Sequence, residues 1–318
     1  MKIQSKGRPG GPRNRQDTRN APGRRGERGP RERFEHGRRG PQGTGPRRGG
    51  PTEGGPSRGP RRPAGRGPAA SVTIREDLIY GRNAVRESLR AGRRKANRLF
   101  VAEGVREDER VEEIIDLAQR QEVLIERVPR PLLDDLAHGG NHQGIALDTA
   151  EFPYVDLEDV IEREGTVLVM DHLNDPQNFG TLMRAADASG VAGIVLPADR
   201  SVSVTPAVVN SSAGAIEHLN VAQTPNLARA LDKLEASGRW IVGLDEGEDA
   251  TSLFTADIPT PVTLVVGAEG TGLTPIVRKR CQMIVSIPML GQVESLNAAT
   301  AGSIVLYDLL RRSTTEAS

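Results

Sequence analysis

Cysteine, aromatic residues and long apolar runs are all scarce in this chain of 318 residues. The single cysteine, Cys281, excludes a disulfide framework and any metal site built from several cysteines. No stretch approaches the roughly 18 consecutive apolar residues that a membrane span needs, and the N-terminus shows no apolar leader core. We therefore expect a cytoplasmic protein that does not associate with membranes.

The first 71 residues differ sharply from the rest in composition and charge. Residues 1–70 hold 17 of the 36 Gly and 11 of the 22 Pro, with 19 Lys and Arg against 5 Asp and Glu. Such a segment buries too little apolar surface to offset the entropy of ordering, so we expect residues 1–71 to be a disordered tail. Its Arg-Gly steps suit nonspecific RNA binding through phosphate attraction, although a solubilising extension would have the same composition.

The remainder of the chain is acidic, with 24 Lys and Arg against 37 Asp and Glu. Residues 72–150 are predicted to form a small α/β domain. Asn83 is a candidate N-cap for a helix that ends at Gly92, apolar spacing predicts a second helix around 111–118, and Pro131 suits the first turn of a third. Short strands are predicted at 99–101, 123–125 and 144–147.

A polar linker with a short helix is predicted at residues 151–164, followed by a second α/β domain at 165–318. Short apolar strands alternate there with helices, which is typical of a mostly parallel sheet covered on both faces. Trp240 is expected in its core. The predicted strands are 166–170, 193–196, 240–244, 262–266 and 283–287, and the predicted helices are 181–189, 227–236, 275–280 and 298–311.

Three polar segments each follow a predicted strand of this sheet, where the ligand crevice of parallel sheets lies. The first contains Asn178 and, about one turn into the next helix, Arg184. Their position suits binding, since the long arginine side chain can reach over the crevice. The same residues also fit an ordinary turn that starts at Asp175-Pro176, with Asn178 capping the helix.

The second segment runs from Gly267 through Glu269 to Gly272. Its glycines permit close approach of a ligand to the backbone. Their spacing is not the dinucleotide-binding pattern, and no Walker lysine follows, which argues against a phosphate cradle. A single acid in this turn suits an amine or hydroxyl partner, and a tight turn with a solvent-facing Glu269 is the alternative.

The third segment includes Ile287 and then Ser295, Leu296 and Asn297 before an apolar helix. Either Ser295 or Asn297 also suits a plain helix cap. If the sheet is parallel, all three segments meet at one edge. The sequence therefore predicts a binding site there that uses residues from each.

The order N-x-G-x(3)-R from Asn178, G-x-E-G-x-G from Gly267, and I-P-M then S-L-N from Ile287 resembles the three motifs of the SpoU (TrmH-like) RNA 2′-O-ribose methyltransferases. Ahead of them, the stretches Tyr80–Val85 and His142–Ala146 resemble landmarks of the small substrate-binding domain of bacterial members. The resemblance covers residues 78–312.

This resemblance implies a fold and a cofactor. The fold is a SPOUT-type α/β domain whose C-terminal segment passes through a loop to make a trefoil knot, a rare exception to unknotted topology. It is preceded by a small RNA-binding α/β domain of the ribosomal protein L30e type. The implied methyl donor is S-adenosylmethionine, and the implied assembly is a homodimer.

The resemblance also implies roles for residues. Arg184 would act as general base, although a guanidinium rarely gives up its proton, or would hold the target phosphate and lower the pKa of the hydroxyl by its charge. Glu269 would orient Arg184 or accept a proton, and Ser295 and Asn297 would hold the ribose or the methionine end. The implied catalytic residues are Asn178, Arg184, Glu269, Ser295 and Asn297, and the implied cofactor-binding residues are Gly267, Ile287 and Leu296.

The sequence thus predicts methylation of a ribose 2′-hydroxyl in structured RNA, with a guanosine of large-subunit (23S) rRNA as the favoured target. Transfer RNA is the nearest alternative, an antibiotic-resistance methylase of the same fold is another, and a non-catalytic RNA-binding assembly factor is a different class. His138, His142 and His172 show no metal-ligand spacing, so we expect no metal requirement.

Overall fold

The computed structural model describes residues 77–199, 203–293 and 295–316. The predicted disordered tail, residues 1–71, lies outside the described residues. Both sheets of the described chain belong to one unit. None of its described helices is long and apolar enough to cross a membrane.

A four-stranded sheet with three helices forms the first part of the described chain. The elements are β1 (Asp77–Tyr80), α1 (Arg82–Ala91), β2 (Ala96–Ala102), α2 (Glu109–Arg120), β3 (Leu124–Val128), α3 (Arg130–Leu136) and β4 (Ile145–Thr149). The strand order is β1-β4-β2-β3. Strand β4 is antiparallel to β1 and β2, whereas β2 and β3 are parallel.

Of the two predictions made for the ends of α1, one is confirmed and one is wrong. Gly92 ends the helix in the left-handed conformation, with φ at 60°, as predicted. The prediction that Asn83 caps it is wrong, because the helix begins at Arg82 with Gly81 in the N-cap position. The Arg82 N–H has no acceptor within the helix, as is usual for the first turn, and it donates to Oε1 of Gln143 at 3.2 Å.

A seven-stranded sheet dominates the rest of the chain, and all its neighbouring strands are parallel. The strand order is β7-β6-β5-β10-β8-β11-β9. The elements are α4 (Leu157–Ile161), β5 (Val167–Asp171), α5 (Pro176–Ala188), β6 (Gly193–Pro197), α6 (Pro206–Ser211), a 3-10 helix (Ala215–His218), β7 (Val221–Thr224), α7 (Leu227–Ala236), β8 (Trp240–Leu244), β9 (Thr251–Ser252), β10 (Val262–Gly267), α8 (Pro275–Arg278), β11 (Met283–Ser286) and α9 (Ala298–Glu316).

The central strands are buried on both faces. Leu168 and Met170 lie in one apolar cluster with Leu182 of α5, while Val169 lies in another with Leu231 of α7. This alternation follows from the period of two along a strand. It explains why the strands read as continuous apolar runs, and it confirms the predicted α/β class with a mostly parallel sheet.

All the strands and helices predicted for this sheet are present, and 227–236 and 240–244 have the predicted bounds. Helix α5 begins at Pro176, five residues before the predicted start at residue 181, because Asp175 caps it and Pro176 occupies its first turn. Strands β1, β7 and β9 were not predicted. The expectation for Trp240 is wrong, since its residue surface is 38 % exposed at the start of β8.

A buried ion pair joins the small sheet to the part of the chain that carries the large sheet. Arg94, between α1 and β2, donates from Nε to Oε2 of Glu217 at 3.1 Å and from Nη1 to Oδ2 of Asp77 at 3.0 Å. The Arg94 and Glu217 side chains are 1 % and 0 % exposed, and the guanidinium lies 5.0 Å from the ring centre of Phe152. This cluster fixes the small sheet against the 3-10 helix of the large one.

We expect Arg94→Ala to destabilise the protein strongly, because the Glu217 carboxylate would stay buried without its cation. Removing one partner of a buried pair costs about 3–5 kcal/mol. The measurement is the free energy of unfolding from urea denaturation followed by circular dichroism. The control is Arg127→Ala, which removes an exposed pair with Glu107 and should cost less than about 1 kcal/mol. Equal losses in the two variants would contradict this account.

Candidate active site

Three loops meet at the carboxyl edge of the large sheet, as the sequence predicts. They follow β5, β10 and β11, and β5 and β10 are adjacent, with Asp171 paired in register to Gly267. The loop after β11 leads to α9, which packs against α5. Polar residues from distant parts of the chain are thereby brought to one place.

The first loop leaves the Asn178 side chain free for the site. Asp175 is the N-cap of α5, and its carboxylate accepts from the backbone N–H groups of Gln177 and Asn178 at 3.3 and 3.1 Å. The alternative in which Asn178 caps the helix is therefore wrong. Because Asp175 satisfies the unpaired helix donors, the Asn178 amide points elsewhere.

A hydrogen-bond chain connects the first turn of α5 with the loops that follow β10 and β11. Asn178 donates from Nδ2 to Oε2 of Glu269 at 2.8 Å. Asn297 donates from Nδ2 to Oδ1 of Asn178 at 2.7 Å. Each amide is fixed in orientation by its partner, so the Glu269 carboxylate occupies a defined position at the sheet edge.

Asn297 has a second role at the start of α9. Its Oδ1 accepts from the backbone N–H groups of Ala299 and Thr300 at 3.0 and 3.2 Å. The helix-cap interpretation and the site interpretation both hold for this residue, because the carbonyl oxygen caps the helix while the amide nitrogen bonds to Asn178. Ser295 does not act as this cap and lines the neighbouring pocket.

The turn after β10 requires glycine at its first position. A Cβ on Gly267 would lie 2.3 Å from the backbone carbon and oxygen of Gly272, which is incompatible with this close backbone approach. The turn is closed by a backbone hydrogen bond from Gly272 to Ala268 at 3.0 Å. The sequence predicts that this glycine gives a ligand access to the backbone, and the structure adds that the turn itself depends on it.

Asp171 is a buried carboxylate that the sequence analysis did not single out. It is 0 % exposed at the end of β5. Its Oδ2 accepts from the Thr274 N–H at 2.6 Å, and its Oδ1 lies 2.6 Å from Nδ1 of His172. The residue ties the start of the first loop to the end of the second. The signal in the sequence was an acid at the end of an otherwise apolar strand, because a carboxylate is buried only where hydrogen bonds or charges compensate it.

A pocket of about 360 Å³ opens beside the hydrogen-bond chain. Its walls come from the loops that follow β10 and β11, from the end of β8 and from the start of α9. Two acids that directly follow β8, Asp245 and Glu246, were missed in the sequence, where they read as ordinary surface residues. The lining includes the predicted residues Gly267, Glu269, Ile287, Ser295 and Leu296, together with Leu244, Asp245, Glu246, Val266, Thr271 and Met289.

The pocket suits S-adenosylmethionine in size and chemistry. Its volume lies within the range of roughly 300–1,000 Å³ typical of small-molecule sites. Apolar side chains such as Leu244 and Ile287 can pack on an adenine ring, and the carboxylates of Glu246 and Glu269 complement the sulfonium and ammonium charges. Asp245 is held by Nη1 of Arg278 at 2.5 Å, which fixes that wall.

Arg184 lies apart from this pocket. It is exposed on α5 and lines a separate cleft with Arg110 of α2 and Asp187. The structure therefore brings together Asn178, Glu269 and Asn297 by direct hydrogen bonds, and Ser295 through the shared pocket. Arg184 lies in a cleft between the helices that pack on the small sheet and the helices that pack on the large sheet.

Two other features of the described chain lie outside this site. No group of three or more His, Cys, Asp and Glu side chains among the described residues is arranged to hold a metal ion. Burial raises the pKa of the Cys281 thiol to about 12, so this cysteine is an unreactive packing residue.

The two parts of the chain match two families of known proteins. Residues 165–307 match the SpoU rRNA methylase family, and residues 78–155 match the RNA 2′-O ribose methyltransferase substrate-binding family. A protein of Staphylococcus haemolyticus assigned to the TrmH family of tRNA/rRNA methyltransferases is 38 % identical over 244 residues, covering 74 % of this chain and 96 % of the relative. The chain belongs to the SpoU (TrmH-like) family of RNA methyltransferases.

Solved structures agree with this assignment. The SpoU methyltransferase AviRb from Streptomyces viridochromogenes is similar with a TM-score of 0.64 at 27 % identity, over 76 % of this chain and 91 % of that one. Its complex with S-adenosylmethionine is similar with a TM-score of 0.63 at 26 % identity, over 75 % and 90 %. The chain is thus an S-adenosylmethionine-dependent RNA methyltransferase with the SPOUT fold, as predicted.

We expect Gly267→Ala to abolish S-adenosylmethionine binding, because the added Cβ would overlap the backbone of Gly272 and distort the pocket wall. The measurement is the dissociation constant from isothermal titration calorimetry. Gly291→Ala is the matched control, since a Cβ there meets no atom within 4 Å. Unchanged affinity in Gly267→Ala would show that this turn does not shape the cofactor site.

Proposed function

We propose that this enzyme methylates a ribose 2′-hydroxyl in structured RNA, and that its target is a guanosine of large-subunit rRNA. The observation that carries the proposal is the hydrogen-bond chain from Asn297 through Asn178 to Glu269 beside the cofactor pocket. It holds one carboxylate at the pocket, where a hydroxyl must lose its proton during methyl transfer.

We assign proton acceptance to Glu269. When bound, S-adenosylmethionine supplies an electrophilic methyl group, and the protein supplies alignment and proton removal. Asn178 binds Oε2 of Glu269, which leaves Oε1 for the 2′-hydroxyl. The alternative that Glu269 orients Arg184 is disfavoured, because Glu269 is bonded to Asn178 and Arg184 lines another cleft.

Arg184 acts on the RNA in this proposal. Its guanidinium remains charged and can hold a phosphate next to the target ribose, which stabilises negative charge as the hydroxyl is deprotonated. The Ser295 hydroxyl holds the ribose or the methionine end. The backbone around Gly267, Ile287 and Leu296 holds the adenosine portion, and all three residues line the pocket.

The division of labour along the chain follows the same proposal. Residues 72–150 bind the RNA, residues 165–318 carry catalysis, and residues 151–164 connect them. The tail, residues 1–71, adds nonspecific affinity for RNA through its 19 Lys and Arg. The enzyme works in the cytoplasm without a metal ion.

A trefoil knot and a homodimer belong to the proposed architecture. The connection from β11 to α9 is the segment that would pass through the loop. That connection and α9 expose apolar side chains at Leu290, Val293 and Tyr307, which are 99 %, 66 % and 50 % exposed. An exposed apolar surface of this kind suits contact with a second subunit.

The proposed target is tested by incubating the purified protein with labelled S-adenosylmethionine and unmodified total RNA. We expect one labelled 2′-O-methyl site in large-subunit rRNA. A site in tRNA would keep the reaction and change the substrate, an outcome that the mixed tRNA/rRNA description of the Staphylococcus relative makes worth testing. Absence of both label and cofactor binding would favour the non-catalytic assembly factor.

We expect Arg184→Ala to abolish methyl transfer while RNA binding stays largely intact. The reason is that its charge acts at the target nucleotide, whereas many other contacts hold the RNA. The measurement pairs initial rates of methyl transfer with RNA dissociation constants. Arg229→Ala, which alters an exposed arginine on α7, serves as control and should leave both quantities unchanged. Normal turnover in Arg184→Ala would contradict the assignment.

A further inference from the structure

Four of the described arginines that have no carboxylate partner lie on one side of the molecule. Most other arginines are held by acids, as in the pairs of Arg90, Arg98 and Arg278. In contrast, Arg106, Arg130 and Arg184 are exposed and form no ion pair with any described residue. Arg110 donates only to the neutral amide oxygen of Asn83, at 2.9 Å.

These four residues line adjoining clefts. One cleft is lined by Arg106, Arg110 and Arg130, and a second by Arg110 and Arg184, so the two share Arg110. A third cleft overlaps the first at Asn141 and reaches Gln177, the residue before Asn178. The clefts form one concave face, from α3 of the small sheet to the first turn of α5. We call Arg106, Arg110, Arg130 and Arg184 the arginine track.

Most acids that line these clefts are paired within the protein. Asp108 is paired with Arg82 at 2.5 Å, and Asp187, whose pKa is raised by burial, is the one acid among the described lining residues that forms no ion pair. Burial also acts to raise the pKa of Glu87, but hydrogen bonds from Arg86 and His218 outweigh it and lower that pKa, so Glu87 is a charge already paired. The four guanidinium groups of the track therefore outnumber the single unpaired acid of these clefts, on a body that is otherwise acidic.

The face is rigid as well as basic. His142 is buried behind it, with Nε2 2.9 Å from Oδ1 of Asp134, and with Nδ1 accepting from the Gly144 N–H at 3.0 Å. This fixes the loop that presents Asn141 at the surface. The buried Arg94 pair fixes the small sheet against the large one. A surface that is already ordered before binding loses less conformational entropy when the ligand binds.

We propose that the arginine track binds successive phosphates of the RNA strand that carries the target ribose. The track gives the strand a path across the small sheet to the first turn of α5, where Asn178 is bonded to Glu269 of the loop after β10. Phosphate contacts set position and register but do not read sequence, and the exposed Asn141 amide is placed to contact a base along this path. The inference rests on the proposed function in taking the ligand to be substrate RNA.

The double variant Arg106→Ala/Arg130→Ala tests the track in the full-length protein. Both residues lie outside the cofactor pocket. The probe is a fluorescein-labelled RNA hairpin, and the readout is its dissociation constant by fluorescence anisotropy over a range of salt concentrations. We expect the slope of log affinity against log salt to fall by about 1.5, the amount that two lost phosphate contacts imply.

The matched control is Arg120→Ala/Arg229→Ala. These two arginines are also exposed, and neither lines a cleft of the track. The slope of log affinity against log salt for this control variant should match that of the unmodified protein. The tail contributes equally to both proteins. Arg106→Lys/Arg130→Lys keeps both charges and should restore most of the slope. An unchanged slope in the alanine double variant, or an equal loss in the control, would overturn the proposal.

Methyl-transfer kinetics separate this proposal from the one on which it rests. If both hold, the alanine double variant raises KM for RNA by roughly tenfold at moderate salt and leaves kcat unchanged. A reduced salt slope in a protein that methylates no RNA would keep the track and reject the methylation proposal. Normal methylation with an unchanged slope would reject the track alone.

Discussion

The hydrogen-bond chain from Asn297 through Asn178 to Glu269 is the interaction on which the site depends. It joins residues that are 91 and 119 positions apart in sequence, and it can exist only when three strand ends and α9 are in place. The parallel sheet provides this arrangement, because β5 and β10 end side by side. Asp171 and the Gly267 turn fix the positions of the loops after β5 and β10 relative to each other. The Asn178 amide therefore lies within hydrogen-bond distance of the Glu269 carboxylate.

A second constraint places the RNA-binding part of the molecule. The buried Arg94–Glu217 pair and its contact with Asp77 hold the small sheet at a set position over the 3-10 helix. The clefts that contain the arginine track run between these layers, so their shape depends on a polar contact within the protein. Burial of this pair is costly unless its geometry is good. Here the hydrogen bonds of Arg94 to Glu217 and Asp77 and its position over the Phe152 ring offset that cost.

Much of this architecture could be predicted from sequence, for identifiable physical reasons. The strand at residues 240–244 is a short continuous apolar run, the helix at 227–236 has a clear helical period of apolar residues, and both were predicted with their final bounds. Strand β7 was missed because Val221–Thr224 is only four residues long and half polar. The motif residues were located by resemblance, but their bonding was not predictable, since Asn178 was equally suited to a cap until Asp175 proved to fill that role. Asp245 and Glu246 were missed because only the folded sheet brings the end of β8 to the pocket.

Asn297 meets two requirements with one side chain, since its oxygen caps α9 while its nitrogen orients Asn178. The start of the C-terminal helix and the order of the candidate site therefore depend on the same side chain. A replacement at this position that keeps both must supply an acceptor for helix donors and a donor for an amide oxygen, a combination that few side chains offer. Any other replacement would disturb the helix terminus and the hydrogen-bond chain together, so an effect of such a change on activity and its effect on stability would share one cause.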